Sequence, residues 1–239
     1  MMKAMIISFL QTKGGTAKTT LATCLAYCKA FEKVFPTVGL VELDPQGTIL
    51  AWQGQRPQTE KVGRVGIAPL YERDEQTMID QLHALTNRYE LLILDVPGES
   101  LGKFATRLAA SLSDLVLIPM RSSTNDEQSF VDHIYPLLQQ TLEAVPDKKQ
   151  AFWIIPTFVH PATNVQNITS YFDAVMPEEV SCLPAFLPYR GVYENYGRDG
   201  LTLREYASAS KGNLRQFLQA RKAVQDIEKI AQEVLKRLP

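Results

Sequence analysis

Two lysines frame a pair of adjacent glycines near the start of the chain. Residues 13–20 read K-G-G-T-A-K-T-T, after an apolar run at residues 4–10 and before a helix-forming segment that starts at Leu21. Adjacent glycines let the backbone turn tightly, so several N–H groups converge at the positive end of the helix dipole. Lys18 adds a positive charge, and Thr19 adds a hydroxyl suited to phosphate-bound Mg²⁺. The segment predicts a phosphate cradle, in preference to a plain glycine turn with incidental lysines.

Two carboxylates follow predicted strands. Asp44 comes after the apolar run 38–43 and begins the turn D-P-Q-G, whereas Asp95 ends the run 91–94. The carboxyl ends of parallel strands lie at the edge of the sheet where ligands bind, so both carboxylates are expected beside the cradle. A buried strand that ends in Asp can also place an oxygen on Mg²⁺. Taken alone, Asp44 before Pro45 would indicate only a turn. Its position at the end of the next predicted strand after the cradle favours a role in the phosphate site.

Apolar runs alternate with amphipathic segments along the whole chain. This alternation predicts an α/β fold with a mostly parallel, doubly wound sheet flanked by helices, as in P-loop NTPases. Its length of 239 residues predicts a single domain over residues 1–239. The predicted strands cover residues 4–10, 38–43, 65–68, 91–95, 114–119, 151–157 and 181–188.

The composition limits the classes of function. With 45% hydrophobic and 21% charged residues, the chain has the composition of an ordinary soluble protein. A net charge of -1 argues against a protein that coats nucleic acid with its whole surface, although a local basic patch stays open. Cys24, Cys28 and Cys182 are too few for a disulfide framework, and we expect them to pack as small apolar side chains in a reducing cytoplasm. The three histidines lack ligand spacing, so no structural metal is predicted.

The cradle departs from the common G-x-x-x-x-G-K-[ST] pattern, because Lys13 opens it and Ala17 precedes Lys18. The string K-G-G-x-x-K-T resembles the deviant Walker A motif of the ParA/MinD family of dimeric ATPases, above all that of small ParA-type partition ATPases. The D-P-Q-G turn resembles the D-x-D-P-Q-G signature of the ParA branch, with Glu42 in place of the first Asp. Residues 113–119 resemble the A-D-L-V-L-I-P element of the same family.

This resemblance implies an Mg²⁺-dependent ATP hydrolase that works as a homodimer with ATP sandwiched between subunits. It implies catalytic roles for Lys13, Lys18 and Asp44: Lys13 reaches the phosphates of the other subunit, and Asp44 lies near the γ-phosphate and the attacking water. Thr19 and Asp95 are the implied Mg²⁺ ligands. The role of Glu42 stays open. The implied ATP-binding residues, with the last two near the adenine, are Lys13, Gly14, Gly15, Thr16, Ala17, Lys18, Thr19, Thr20, Thr157 and Pro188.

The resemblance also implies a biological task. An ATP-loaded dimer would bind DNA without sequence preference and release the DNA when ATP is hydrolysed. With an adaptor of ParB type, this cycle would position a cargo over the nucleoid in the cytoplasm. The cargo could be a plasmid, a chromosome origin or a protein body, and the sequence does not distinguish them. Non-specific DNA binding needs cations that face phosphates. The candidates are Arg190, Lys211 and Arg215.

Two other classes stay open. A MinD-like membrane-cycling ATPase would need a C-terminal amphipathic helix that inserts into lipid, and residues 224–238 do carry a regular apolar stripe. We expect that stripe to pack on the sheet, so no membrane partner is predicted. A biosynthetic ATP-dependent ligase on the same scaffold would need a substrate pocket, and the D-P-Q-G turn argues against it.

Overall fold

The computed structural model describes residues 4–56, 63–72, 74–98, 104–144 and 151–239. Within these ranges the chain forms one eight-stranded sheet. The strands are β1 (Met5–Phe9), β2 (Val38–Glu42), β3 (Val65–Pro69), β4 (Leu91–Asp95), β5 (Leu115–Met120), β6 (Ala151–Val159), β7 (Val180–Cys182) and β8 (Leu187–Pro188). The strand order is β3-β2-β4-β1-β5-β6-β7. Strand β7 pairs with the first half of β6, and β8 pairs with the last residues of β6.

Helices cover both faces of this sheet. They are α1 (Lys18–Ala26), α2 (Lys29–Val34), α3 (Thr48–Gly54), α4 (Glu75–Thr86), α5 (Phe104–Leu112), α6 (Thr124–Ser129), α7 (Tyr135–Ala144), α8 (Val165–Val175), α9 (Val192–Asn195), α10 (Leu203–Ala209) and α11 (Leu214–Leu235). A π-helical segment, Phe130–Ile134, joins α6 to α7, and a 3₁₀ turn, Ser210–Gly212, joins α10 to α11.

The central strands are buried on both faces, as their nearly continuous apolar sequences require. All five residues of β4 are buried, and it pairs in parallel with β1 on one side and β2 on the other. In this register Asp95 stands opposite both Phe9 and Glu42. The segments that follow β1, β2 and β4 therefore leave the sheet side by side at its carboxyl edge. The predicted fold class is confirmed, and every described strand pair is parallel.

The sheet separates two apolar cores, because successive side chains of a strand point to opposite faces. In β5, Leu115 and Leu117 pack in the core that includes α1, α2 and α11, whereas Val116 and Ile118 pack in the core that includes α4, α5, α7 and α8. Both cores consist of buried apolar side chains, many of them without any exposed surface. They fix the strands that carry the predicted site.

The apolar residues after the cradle predict one helix that Pro36 ends, and this prediction is wrong. The chain breaks after Ala26, and the Cys28 side chain caps α2 by accepting a hydrogen bond from the Phe31 N–H at 3.4 Å. Cys24 therefore lies within α1, whereas Cys28 is the N-cap of α2. All three cysteines are buried and free, so their predicted packing as core side chains is confirmed.

The strand expected over residues 181–188 is also wrong in its extent. The segment forms two short strands, β7 and β8, because the intervening residues include Pro184, which has no N–H to donate to a ladder. The sequence also predicts a helix over residues 101–111; residues 101–103 lie outside the described residues, and the described part is α5. The sequence did not predict α8, α9 or α10.

Candidate phosphate-binding site

The cradle lies between β1 and α1, and its backbone bends where the glycine pattern indicates. Gly15 has a φ of +70°, in the left-handed region that glycine tolerates. Ala17 adopts the same region, with φ 73° and ψ 23°, which costs about 1 kcal/mol for a residue with a Cβ. No side chain caps the N-terminus of α1 at Ala17. The first backbone N–H groups of this helix thus suit an anionic ligand, since a helix N-terminus attracts negative charge.

Thr19 and Asp95 meet at the carboxyl edge of the sheet. The Thr19 hydroxyl donates to Asp95 Oδ2 at 2.7 Å. Asp95 is 1% exposed, and its other oxygen, Oδ1, is buried without a hydrogen-bond partner in the described structure. A hydroxyl and a carboxylate with a spare oxygen are the hard ligands that Mg²⁺ prefers. These residues fit the cation that the sequence predicted for them.

Burial sets the charge state of the site. It raises the pKa of Asp95 to about 7, with further raising by Glu42 and Asp44, while the Thr19 hydrogen bond and Lys18 act in the opposite direction. Burial also lowers the pKa of Lys18, an effect that the nearby Asp95 and Asp44 partly offset. Both groups carry a desolvation cost that a ligand of opposite charge would reduce. A strongly raised carboxyl pKa beside a lysine whose pKa is lowered, in one cleft, is typical of a functional site.

The cradle encloses a cavity of about 410 Å³, in the size range of small-molecule sites. Asp44 lies at its wall, in a turn stabilised by the Gln46 N–H, which donates to Asp44 Oδ1 at 3.0 Å. A Cβ added to Gly98 would lie 3.1 Å from Lys18 Nζ, so this glycine leaves room for the lysine head. The described lining residues are Gly14, Gly15, Thr16, Ala17, Lys18, Thr19, Thr20, Asp44, Pro45, Gln46, Pro97 and Gly98.

Lys13 lies outside this cavity. Its ammonium contacts Asp126 Oδ1 at 3.0 Å, and its side chain is 35% exposed. The Lys13 carbonyl accepts a hydrogen bond from Lys18 Nζ at 3.2 Å. The two lysines of the motif therefore have different environments: Lys18 faces the cavity, and Lys13 faces the rim.

Glu42 is a fully buried carboxylate with a structural contact on each oxygen. Its Oε1 accepts from the Ile49 N–H at 2.6 Å, and its Oε2 accepts from the Leu50 N–H at 3.1 Å and from the Tyr71 hydroxyl at 2.5 Å. A carboxylate in this position neutralises the positive end of α3. Glu42 therefore anchors the two ends of the segment that carries Asp44, between β2 and α3.

The two residues expected near the adenine lie on paired strands. Thr157 is opposite Leu187 in the β6–β8 ladder, and Pro188 is opposite Val159. The Thr157 hydroxyl is buried without a hydrogen-bond partner in the described structure. Their role at the base stays a prediction.

The three cations expected to contact DNA differ in their surroundings. Arg190 Nε contacts Asp226 Oδ2 at 2.5 Å, and its side chain is 13% exposed. Lys211 and Arg215 are both exposed, at the 3₁₀ turn and the first turn of α11. Arg190 is thus paired with Asp226, whereas Lys211 and Arg215 are the two candidates that present their charge to solvent.

Sequence reasoning missed Arg121 and Asp126, which hold the outer side of the cradle. Arg121 Nη2 donates to the Gly15 carbonyl at 2.8 Å, and the guanidinium carbon lies 4.2 Å from the centroid of the Phe158 ring. Asp126 binds Lys13, and its Oδ2 also accepts from the Arg121 N–H at 3.2 Å. A polar residue directly after β5 was the available signal, because that position lies at the same sheet edge as the cradle.

Three solved structures share this fold across nearly the whole chain. A complex of a Cyanothece McdA variant with ATP has a TM-score of 0.68 and 14% identity, and the match covers 97% of this chain and 96% of that one. A putative plasmid partition protein of Borrelia burgdorferi B31 bound to AMPPNP has a TM-score of 0.66, 17% identity and coverages of 98% and 99%. Cobyrinic acid a,c-diamide synthase of Mycobacterium smegmatis, with ADP and magnesium, has a TM-score of 0.59, 18% identity and coverages of 89% and 96%.

Comparison with curated proteins found no match. At identities below 20% the structural likenesses show the fold alone. A family model does match, with the description "CobQ/CobB/MinD/ParA nucleotide binding domain", over residues 7–237. Because that match covers the cradle, Asp44 and Asp95 together, the chain belongs to the CobQ/CobB/MinD/ParA nucleotide-binding family, and its resemblance to the ParA/MinD ATPases is confirmed.

Proposed function

We propose that the protein hydrolyses ATP to ADP and phosphate with Mg²⁺. The observation that carries this proposal is the contact between Thr19 and Asp95 beside Lys18, at the mouth of a cradle whose helix N-terminus has no side-chain cap. A cation next to two hard oxygens suits a nucleoside triphosphate with its metal better than an uncharged substrate. Family members crystallised with ATP, AMPPNP, or ADP and magnesium agree with this ligand.

In this proposal each residue has a separate task. Lys18 and the first amides of α1 bind the β- and γ-phosphates, and Thr19 and Asp95 hold the cation, which neutralises phosphate charge when it is bound. Asp44 lies at the cavity wall and orients the attacking water through its carboxylate. Phosphoryl transfer depends on positioning and charge stabilisation more than on covalent help, so this small set of residues suffices.

We propose that the active form is a homodimer with ATP between the subunits, and that Lys13 acts in trans. The location of Lys13 supports this arrangement, since its ammonium lies on the rim and outside the cavity of its own subunit. Among the described residues one ion pair retains the ammonium there, between the partly exposed Lys13 side chain and the largely buried Asp126. A partly exposed pair contributes about 1 kcal/mol, which a contact with a triphosphate exceeds.

The proposed task of the ATP-loaded dimer is to bind DNA without sequence preference and to position a cargo over the nucleoid through a ParB-type adaptor. Lys211 and Arg215 are the cations that we assign to DNA, because both are exposed, Lys211 in the 3₁₀ turn before α11 and Arg215 in the first turn of α11. Arg190 is a weaker candidate than its position in the sequence suggested. A phosphate would have to displace Asp226 from a largely buried pair.

The membrane-cycling alternative finds less support. Its lipid-inserting surface would have to come from the apolar stripe of α11, yet Ile227, Ile230 and Val234 of that stripe are buried in the core. No helix in the described ranges has the length and apolar character needed to cross a bilayer.

The test measures phosphate release and DNA binding together. We expect Mg²⁺-dependent ATP turnover that needs no added metabolite, and DNA binding that appears with a nonhydrolysable ATP analogue and is absent with ADP. Lys211→Ala and Arg215→Ala should each lower the slope of log affinity against log salt by about one, because each removes one phosphate contact. Arg88→Ala, at the opposite end of β4 from Asp95, serves as the matched control. DNA binding that ignores the nucleotide, or turnover only with an added metabolite, would contradict the proposal.

A further inference from the structure

Arg121 presents a positive charge beside the cradle, and no described acidic side chain pairs with it. In the described ranges no carboxylate lies within ion-pair distance of its guanidinium, although the side chain is exposed. Its contacts are one neutral acceptor, the Gly15 carbonyl at 2.8 Å, and one aromatic face, that of Phe158 at 4.2 Å. Neither contact neutralises the charge. The guanidinium therefore retains its capacity to bind an anion such as a phosphate group.

These contacts also hold the guanidinium in place. The hydrogen bond to Gly15 fixes one nitrogen, and the guanidinium carbon lies over the Phe158 ring, so two contacts restrict the group. Phe158 itself has a φ of +57°, which is an uncommon conformation for a bulky residue and is typical of ligand-binding regions. An arginine held in this way loses little conformational entropy when it binds an anion.

Arg121 shares its location with Lys13. Neither residue is among those described as lining the cavity of their own subunit. Both are tied to the same carboxylate, since Asp126 binds the Lys13 ammonium through Oδ1 and the Arg121 N–H through Oδ2. Both cations thus lie on the rim of the cavity and not inside it. In this position they can contact a second molecule that covers the cavity.

We propose that Arg121 is a second trans-acting cation, which contacts a phosphate oxygen of the nucleotide bound by the partner subunit. This inference rests on the proposed ATP-sandwiched dimer and extends it from one trans cation to two. Lys13 must leave Asp126 before it can act, whereas Arg121 already carries an uncompensated charge. Arg121 thus supplies a contact that is ready when two loaded subunits meet.

The experiment compares Arg121→Gln with wild type by sedimentation velocity in a nonhydrolysable ATP analogue, and by titration of ADP to the monomer. Glutamine keeps a polar amide but removes both the charge and the guanidinium that contacts Gly15 and Phe158, so the lysine variant below is needed to isolate the charge. We expect the variant dimer to dissociate at least about 10-fold more readily, which is the usual effect of losing a charge-assisted hydrogen bond. The ADP affinity of the monomer should stay within about 2-fold, because Arg121 does not act on its own subunit's nucleotide. Arg121→Lys, which keeps the charge, should recover part of the loss.

The outcomes separate this inference from the proposed function. If the wild type does not dimerise with the ATP analogue, the dimer proposal fails. If the wild type dimerises and Arg121→Gln dimerises equally well, the dimer stands and the role of Arg121 is wrong. A loss of ADP affinity in the monomer would also overturn the inference, since it would show contact within one subunit. Arg88→Gln removes a similarly exposed guanidinium, stacked on Tyr89 far from the cradle, and should leave both measurements unchanged.

Discussion

Lys13 Nζ lies 3.0 Å from Asp126 Oδ1, so the first residue of the cradle is held by the first turn of α6. The same junction makes two more contacts here: the Ser129 hydroxyl lies 2.8 Å from that of Thr12, just before the cradle, and Arg121 donates to the Gly15 carbonyl within it. The segment between β5 and the π-helix therefore supports the outer side of the phosphate-binding loop. A change at this support should alter how Lys13 is presented to a partner.

The first prediction concerns Asp126→Asn. The substitution keeps an oxygen for the Arg121 N–H and removes the charge that holds Lys13, so Lys13 becomes available to a partner's nucleotide. Because a partly exposed ion pair contributes up to about 1 kcal/mol, we expect the ATP-dependent dimer to tighten by up to about 5-fold. Sedimentation in a nonhydrolysable analogue measures this, with Asp132→Asn as an exposed control further along the chain. A weaker dimer would show that Asp126 guides Lys13 instead of retaining it.

A second prediction follows from the raised pKa of Asp95. The pKa of Asp95 is about 7 in the native state and 3.8 in the unfolded state. Between pH 3.8 and pH 7 the carboxyl group is therefore protonated in the native state and ionised in the unfolded state. The native state therefore loses stability as pH rises from about 4 through 7. In nucleotide-free protein without Mg²⁺, Asp95→Asn should raise the free energy of unfolding by roughly 2 to 4 kcal/mol at pH 8 and leave it almost unchanged near pH 4.

Urea unfolding at several pH values tests this prediction. Asp80→Asn, an exposed acid on α4, provides the control and should give equal changes at both pH values. A variant at Asp95 that is less stable than wild type at pH 8 would mean that the carboxylate is stabilised by its neighbours despite burial.

A third prediction concerns the buried carboxylate of Glu42. Glu42→Asp shortens the side chain by one methylene, so it can no longer reach the Ile49 and Leu50 amides and the Tyr71 hydroxyl together. We expect a loss of about 1 to 3 kcal/mol in the free energy of unfolding, because buried donors are left without their charged acceptor. Tyr71→Phe removes one of these contacts and should cost less, about 1 kcal/mol. Tyr189→Phe, at an exposed tyrosine, should be neutral. Unchanged stability in Glu42→Asp would show that a shorter acid serves equally well here.

A fourth prediction separates binding from hydrolysis at Asp44. The carboxylate lies at the cavity wall on the turn after β2, outside the glycine cradle, so Asp44→Ala should keep ATP binding and ATP-dependent dimerisation. Phosphate release should fall by roughly 100-fold or more, since a group that orients the nucleophile is lost. Filter binding and phosphate release measure the two steps separately. Loss of nucleotide binding itself would contradict the role assigned to Asp44.

The parts of the site that sequence could predict are those fixed by strand ends. Asp95 and the cradle each follow a continuous apolar run, and parallel pairing of such runs brings their ends to one edge. The contact between Thr19 and Asp95 agrees with that expectation. The parallel fold and the bounds of β4 follow from equally local signals.

The parts that sequence could not predict depend on contacts between distant segments. Arg121 reaches the cradle from a strand end far along the chain, and Glu42 is satisfied by a tyrosine on another loop. Arg190 looked like a surface cation, yet it pairs with Asp226 of α11, a residue that only the folded chain brings near. Similarly, the break after Ala26 arises because Cys28 can cap a new helix, which cysteine seldom does.

A structure of the protein with Mg²⁺ and a nonhydrolysable ATP analogue tests the central claim most directly. We predict that the β- and γ-phosphates lie against the amides of residues 14–19, that the metal lies next to Thr19 on the Asp95 side, and that a partner's Lys13 ammonium has left its Asp126 for the nucleotide. An analogue bound elsewhere, or a cradle without phosphate in crystals that contain the analogue, would contradict the claim.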